Sequence, residues 1–217
     1  GTQNILNFSQ QFKKCKFLSL STDKAVNPIN LYGATKLSLE KLTLSMNNLY
    51  KNNSYSVLRY GNVIGSRGSV IPYFRSLKKL GKPIPVTDKN MTRFWITLNH
   101  AADLSLKCLK LMQGNEIFIP KLPSFKILDL ASLFKSKIVY SGIRKGEKLH
   151  EVLIAKEEKR NCFFSKKHKL YVIKESISKN SLKLNKDIFD KIENNYLDYD
   201  SSINDEQLSV TQLKKII

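Results

Sequence analysis

Residues 21–36 read STDKAVNPINLYGATK, and the fold turns on them. The apolar run Phe17-Leu18-Ser19-Leu20 leads into this stretch. That is the pattern of a short buried strand whose end carries chemistry in an open α/β sheet. Asn27-Pro28 breaks the chain, and beyond it Leu31, Ala34, Leu37, Leu42 and Leu44 predict a helix to about Tyr50. Tyr32 and Lys36 are four residues apart on that helix and therefore share one face. An ammonium one turn from a phenol stabilises the phenolate, and a threonine hydroxyl at the strand end, Thr22, can hydrogen-bond the same substrate alcohol. Such a set suits removal of an alcohol proton while the carbon gives up a hydride to a nicotinamide. Tyr-x-x-x-Lys alone is a weak signal. The Ser-Thr-Asp-Lys strand end before it strengthens it.

Composition narrows the classes. The chain of 217 residues can bury a real core and has room for one or two domains. It contains no apolar run long enough for a bilayer, and Gly1-Thr2-Gln3-Asn4 lacks the regions of a signal peptide. A cytoplasmic protein with no membrane partner is expected. Cys15, Cys108 and Cys162 are far apart and odd in number, and His100, His150 and His168 sit at no metal spacing from them. Reduced thiols and no metal are the expectation. The net charge of +19 comes from lysines spread along the chain without an arginine-rich stripe or aromatic–basic alternation. It is read as compositional bias rather than a nucleic-acid footprint, with attraction of an anionic substrate as the alternative.

Further along, SYSVLRY (54–60) reads as a second buried strand, and GNVIGSRGSVIPYF (61–74) as a glycine-rich loop entering a helix. A short strand near 84–86, the stretch RFWIT (93–97), a helix over 98–112 and the strand EIFIP (116–120) follow. A helix near 127–134 and a strand near 138–140 complete the pattern. Strands alternating with helices predict a parallel α/β arrangement, with a smaller lobe in the second half.

STDKAVNPINLYGATK, LRYGNVIGSRGSVIPYF, MTRFWIT, GNEIFIPKLPSFKILDLA and GIRKGEKLHEVLI together resemble the extended short-chain dehydrogenase/reductases. More closely, they resemble the inverting UDP-N-acetylglucosamine 4,6-dehydratases that open the pseudaminic acid route. The resemblance implies a partial Rossmann-like parallel sheet with a smaller α/β substrate-binding lobe. Residues 1–160 would hold both, and 161–217 would form a peripheral extension ending in a short helix. It implies NADP as cofactor, with NAD the alternative, a UDP-sugar substrate and a homo-oligomer when complete. The family's Gly-x-x-Gly-x-x-Gly turn after the first strand has no counterpart, because GSRGSV (65–70) follows the wrong strand. An amino-terminally truncated member is therefore expected.

The same resemblance implies residue roles. Tyr32 would take the 4-hydroxyl proton, with Lys36 holding the phenolate and Thr22 orienting the hydroxyl. Lys24 would then remove the C5 proton made acidic by the 4-ketone, while Asp23 protonates the departing 6-hydroxyl. Asp23 must carry a proton and Lys24 must be neutral for these roles; outside this context the two would be a solvated loop pair. The retaining dehydratases carry a glutamate after the aspartate, and a lysine there fits inversion at C5. Tyr32, Lys36, Tyr60, Asn62 and Val63 would border the cofactor. Asn62, Arg67, Ser69, Arg93, Arg144 and Glu147 would meet the substrate, guanidinium forks being suited to a diphosphate. Arg59 and Arg93 also have a plainer reading, as a structural ion pair and a loop pin. Met91 and Trp95 are expected to pack rather than bind.

Two alternatives stand beside this reading. A UDP-sugar 4-epimerase needs only Thr22, Tyr32 and Lys36 and has no 6-hydroxyl to expel, and a non-catalytic remnant would bind only a nucleotide sugar or a partner. Because the glycine turn has no counterpart, the 217 residues alone are expected to bind NADP weakly. Calorimetry giving a micromolar Kd for the isolated chain would refute that expectation.

Overall fold

SYSVLRY becomes a central strand because both of its faces are covered: Tyr55 to Arg59 are all buried. The computed structural model describes residues 1–66, 68–174, 190–192 and 199–216. Along the chain lie α1 (Thr2–Ser9), β1 (Lys16–Thr22), α2 (Leu31–Leu49), β2 (Ser54–Tyr60), β3 (Asn62–Val63), α3 (Val70–Lys79), β4 (Ile84–Val86), β5 (Thr92–Ile96) and α4 (Leu98–Leu111). Next come β6 (Glu116–Pro120), β7 (Ser124–Lys126), α5 (Ile127–Ser132), β8 (Ile138–Tyr140), β9 (Val152–Ile154) and β10 (Cys162–Ser165). The series ends with β11 (Leu170–Lys174), β12 (Asp190–Lys191), β13 (Tyr199–Asp200) and α6 (Val210–Ile216).

The chain divides into two units. The first comprises residues 1–60, 102–121 and 153–198. Its sheet has the order β1-β2-β6-β11-β10-β12. β1 runs parallel to β2 in the register Lys16↔Ser54 to Thr22↔Tyr60, with α2 as the crossover, and β2 runs parallel to β6. The carboxyl ends of β1 and β2 therefore lie side by side. Val57, Leu58, Ile117, Phe118, Ile119 and Val172 are almost wholly enclosed and supply the apolar core. The fold is α/β with a Rossmann-type sheet that is parallel across β1, β2 and β6 and antiparallel across β11, β10 and β12.

The described residues of 161–217, a stretch read from sequence as peripheral, contribute to both cores. β11 pairs antiparallel with β6 from Leu170↔Pro120 to Lys174↔Glu116, and β10 pairs antiparallel with β11. Lys174 reaches Glu116 at 3.3 Å in a pair that is nearly solvent-free. Glu116 also accepts from the Ser56 hydroxyl (2.6 Å) and the Gly114 amide (2.8 Å), so its buried charge is fully engaged.

The second unit comprises residues 61–101, 122–152 and 199–217. β3 pairs parallel with β5, β5 antiparallel with β7, and β4 parallel with β8. Ile71, Phe74, Met91, Trp95, Phe125 and Leu130 are among the buried residues of its core, where Trp95 and Phe125 meet edge to face with centroids 4.5 Å apart. Met91 and Trp95 are packing residues, as expected. From the tail, Leu213 on α6 is fully enclosed in this cluster, and the Tyr199 hydroxyl receives the Leu122 amide at 2.6 Å.

Cys108 on α4 and Cys162 on β10 are buried, and burial pushes both thiols up to about 12. At pH 8 only about one such thiol in ten thousand is the reactive thiolate. Treating the folded chain with iodoacetamide at pH 8 should carboxymethylate the half-buried Cys15 first, leaving Cys108 and Cys162 until the chain is denatured. Mass spectrometry of tryptic peptides reads the order. Comparable rates at all three cysteines would contradict the packing around α4 and β10.

Candidate active site

The site in the first unit begins where β1 stops. Thr22 caps a single 3-10 turn, Asp23–Ala25. Its hydroxyl donates to Asp23 Oδ1 (2.9 Å) and accepts from the Lys24 amide (3.4 Å). Lys24 Nζ lies 3.0 Å from the same Oδ1. Asp23 is completely enclosed, and its second oxygen, Oδ2, is buried with no hydrogen-bond partner among the described residues. One oxygen is thus held by two donors and the other is left as an acceptor position.

After the Asn27-Pro28 break, Asn30 caps α2, its side-chain oxygen accepting from the Gly33 amide at 2.8 Å. Gly33 is required here by space: a Cβ on it would run into the carbonyl oxygen of Lys24 and touch Pro28. The first turn of α2 is pressed against the turn that carries Asp23 and Lys24. Tyr32 is half exposed beside this contact. Lys36, one turn further on, donates from Nζ to the Leu20 carbonyl at 3.0 Å, which ties the helix to β1. Tyr60 pairs in register with Thr22. Partial burial, and secondarily the neighbouring Tyr32, push the Tyr60 phenol upward. Thr22, Asp23, Lys24, Tyr32, Lys36 and Tyr60 therefore all belong to the first unit, at the carboxyl end of its parallel strands.

Arg59 precedes Tyr60 and is 1% exposed. Its Nε and Nη2 donate to the two oxygens of Glu40 at 2.9 and 2.6 Å, and Nη1 and Nη2 to those of Glu158 at 2.9 Å each. Nη1 also donates to the Leu153 carbonyl at 2.9 Å. A guanidinium has five N–H groups, so every one is taken. Burial opposes the charge, but hydrogen bonds and Coulombic attraction from Glu40 and Glu158 outweigh it, and the guanidinium is shifted upward. Of the two readings of Arg59, this geometry is the structural ion pair.

The remaining candidates lie in the second unit. Asn62 is exposed and Val63 half-buried on β3. Ser69 precedes α3 and makes no cap hydrogen bond, and its hydroxyl is buried without a partner among the described residues. Arg93 is 7% exposed and donates to the carbonyls of Thr92 (2.7 Å), Leu149 (3.1 Å) and Lys148 (2.9 Å). It also lies 3.6 Å from Glu147 and 3.8 Å from Glu151. These bonds pin the 147–151 segment. Arg144 is exposed, and a turn joins it to Glu147 through the Glu147 amide and the Arg144 carbonyl at 3.0 Å. Arg67 lies outside the described residues.

Sequence reasoning passed over Gly33 and Glu40. Glu40 falls on the buried stripe of α2 with Gly33, Leu44 and Asn47. A charged residue on an apolar stripe was the available signal for it.

The strand–turn–helix on the parallel strands β1, β2 and β6 defines a Rossmann-type α/β protein. The chain belongs to the polysaccharide biosynthesis protein family, whose pattern matches residues 1–175. Over 165 residues it is 49% identical to the UDP-N-acetylglucosamine 4,6-dehydratase (inverting) of Campylobacter jejuni, covering 73% of this chain and 49% of that one. It is 40% identical to the UDP-glucose 4-epimerase of Rickettsia rickettsii over 166 residues, again 73% of this chain and 49% of the relative. The chain spans about half the length of the curated relatives it matches. Among solved structures it resembles Pen from Bacillus thuringiensis with a TM-score of 0.87 and 31% identity, over 100% of this chain and 66% of that one. It shares its fold with a dTDP-glucose 4,6-dehydratase from Bacillus anthracis solved in complex with NAD, at TM-score 0.60 and 17% identity over 67% and 55% of the two chains.

Gly33 gives a test of the local geometry. In a free helix, alanine is better than glycine by about 1 kcal/mol. Against the Lys24 carbonyl the sign reverses, and Gly33→Ala should lose about 1–3 kcal/mol through overpacking. Urea denaturation measures it. A variant as stable as the parent, or more so, would show that α2 and the Asp23–Ala25 turn are not in this contact.

Proposed function

We propose that the protein carrying this chain removes water from UDP-N-acetylglucosamine with inversion at C5, giving a UDP-4-keto-6-deoxy-L-arabino-hexosamine for surface-glycan synthesis of the pseudaminic acid type. The observation that carries the reading is the Thr22–Asp23–Lys24 constellation at the end of β1, with the Tyr32–Lys36 pair on the first turns of α2, which Lys36 ties to β1. Hydride transfer alone needs only Thr22, Tyr32 and Lys36; the enclosed carboxyl and its amine partner, which must be a neutral acid and a neutral base for this role, are surplus unless a second proton-transfer step follows. The 49% identical inverting dehydratase supports the same reading.

Tyr32 and Lys36 share a face of α2, with Tyr60 nearby, and would hold the nicotinamide and its ribose; Asn62 and Val63, on β3, are assigned to the cofactor as well. When bound, the nicotinamide takes up a hydride and gives it back. NADP is the form we favour, with NAD the alternative. Tyr32 accepts the proton of the sugar 4-hydroxyl, Lys36 stabilises the phenolate, and Thr22 orients the hydroxyl. The resulting 4-ketone acidifies C5–H, and Lys24 takes that proton. Asp23 protonates the 6-hydroxyl as it leaves as water; C6 then takes back the hydride, and C5 takes a proton on its opposite face, which completes the inversion. Arg144, Glu147, Ser69, Asn62 and Arg67 are assigned to the UDP diphosphate and uridine. Arg93 contributes by holding the segment that ends the Arg144–Glu147 turn. The working form is a cytoplasmic homo-oligomer. The chain's 40% identity to a UDP-glucose 4-epimerase favours a second reading, in which C4 is oxidised and reduced again without loss of water.

The assay is the full-length protein with UDP-N-acetylglucosamine and NADP in deuterated water. The dehydratase reading requires a 4-keto-6-deoxy product with deuterium at C5, whereas a 4-epimer with all its hydroxyls supports the alternative. Tyr32→Phe should slow turnover by more than tenfold, at least about 1.4 kcal/mol of barrier, with substrate binding kept. Lys24→Ala should still reduce the nicotinamide yet lose C5 exchange, and normal exchange in that variant would move the base elsewhere.

A further inference from the structure

We propose that Arg59, Glu40 and Ser21 form a positioning set that fixes the register of α2 on β1, and so the placement of Tyr32 and Lys36 relative to Thr22, Asp23 and Lys24; this rests on the reading of Tyr32 as the base. Helices usually dock on a parallel sheet through apolar side chains, which permit small slides. Here the middle of the α2–β1 interface is polar. Ser21, next to Thr22, donates to Glu40 Oε1 at 2.6 Å. Glu40 is 0% exposed and lies one helical turn beyond Lys36. Two residues back along β1, the Ser19 hydroxyl meets that of Thr43 at 2.6 Å. These bonds are short and directional, and a slide of the helix by one turn, about 5.4 Å, would lose all of them.

Arg59 makes the arrangement workable. The Glu40 carboxylate has no exposure to water, and the guanidinium takes both of its oxygens in a fork. Ser21 and Arg59 are in-register neighbours on β1 and β2, so one carboxylate on α2 is gripped from two adjacent strands. The consequence is catalytic in reach, because misplacing reacting groups by about 1 Å can cost about a hundredfold in rate. None of the three residues needs to touch substrate: Arg59 has no N–H left over, and Glu40 and Ser21 are 0% and 4% exposed.

The test variant is Glu40→Gln, which keeps the shape but turns one carboxylate oxygen into a donor facing other donors. In the full-length enzyme, kcat should fall by about 10- to 100-fold with KM within about threefold. The primary isotope effect of a C4-deuterated substrate should rise, because a poorly placed base makes hydride transfer rate-limiting. Leu44→Ala, a core truncation on the same helix, serves as the control; it should lower Tm while leaving kcat and the isotope effect near parental values. A kcat for Glu40→Gln that falls only with the unfolded fraction, at an unchanged isotope effect, would overturn the proposal. Hydrogen exchange on the full-length protein is the second arm, with the amides of residues 33–40 expected to exchange at least tenfold faster in Glu40→Gln while those of β6 hold. Unchanged protection also overturns it. Turnover that survives Tyr32→Phe would instead sink the choice of base, and the exchange arm separates that outcome because it needs no activity.

Discussion

The grip of Arg59 on Glu40 is the constraint around which the first unit is arranged. A guanidinium and a carboxylate, each about 1% exposed, meet at 2.6 Å between the end of β2 and the middle of α2. Taking such ions out of water costs several kcal/mol apiece, and the return is favourable only when every lone pair and proton is matched. Here the matching is complete for Arg59, with Glu158 and the Leu153 carbonyl taking the N–H groups that Glu40 does not. A buried ion pair is weak evidence for stability, and its better use is to select one arrangement among several of similar energy. What it selects is the position of α2.

From that position the site follows. With Glu40 fixed, Lys36 reaches the Leu20 carbonyl, and the first turn of α2 is brought against the Lys24 backbone, where only Gly33 fits. Thr22, Asp23 and Lys24 are held by their own short turn. The two groups of candidate residues are therefore carried on separate pieces of backbone, a strand end and a helix, and their mutual placement depends on the polar seam between them. Apolar packing at the far end, where Leu6, Met46 and Tyr55 cluster, steadies the helix without setting its register.

The second unit uses a buried arginine differently. Arg93 spends its donors on backbone carbonyls at 92, 148 and 149 rather than on one carboxylate fork, so it holds a loop segment in place. That segment adjoins the Arg144–Glu147 turn, whose arginine stays exposed. The exposed guanidinium is available to an anion; the buried one supports the backbone.

Much of the fold was legible without coordinates. Alternating apolar runs and helical periodicity located β1, α2, β2 and β6, because strands buried on both faces and long amphipathic helices leave strong local patterns. The order Thr22, Asp23, Lys24, Tyr32, Lys36 was equally plain, since these residues lie within fifteen positions on one strand–turn–helix. The short apolar runs CFF (162–164) and LYVI (170–173) were passed over inside a polar stretch, and nothing local marked Leu213 as core. Their neighbours are lysines, asparagines and serines, and their burial comes from β6 and from α5, far away in sequence. The fate of each arginine was likewise undetermined by sequence. Arg59 and Arg93 both end or sit in apolar runs, and only the chain brought round from Leu153 to Glu158, and from Glu147 to Glu151, decided that their charges are spent inside the protein. Sequence settles which groups can do chemistry because that depends on residue type and short spacing; tertiary structure settles which of them remain free to do it, because partners for a buried charge come from anywhere in the chain.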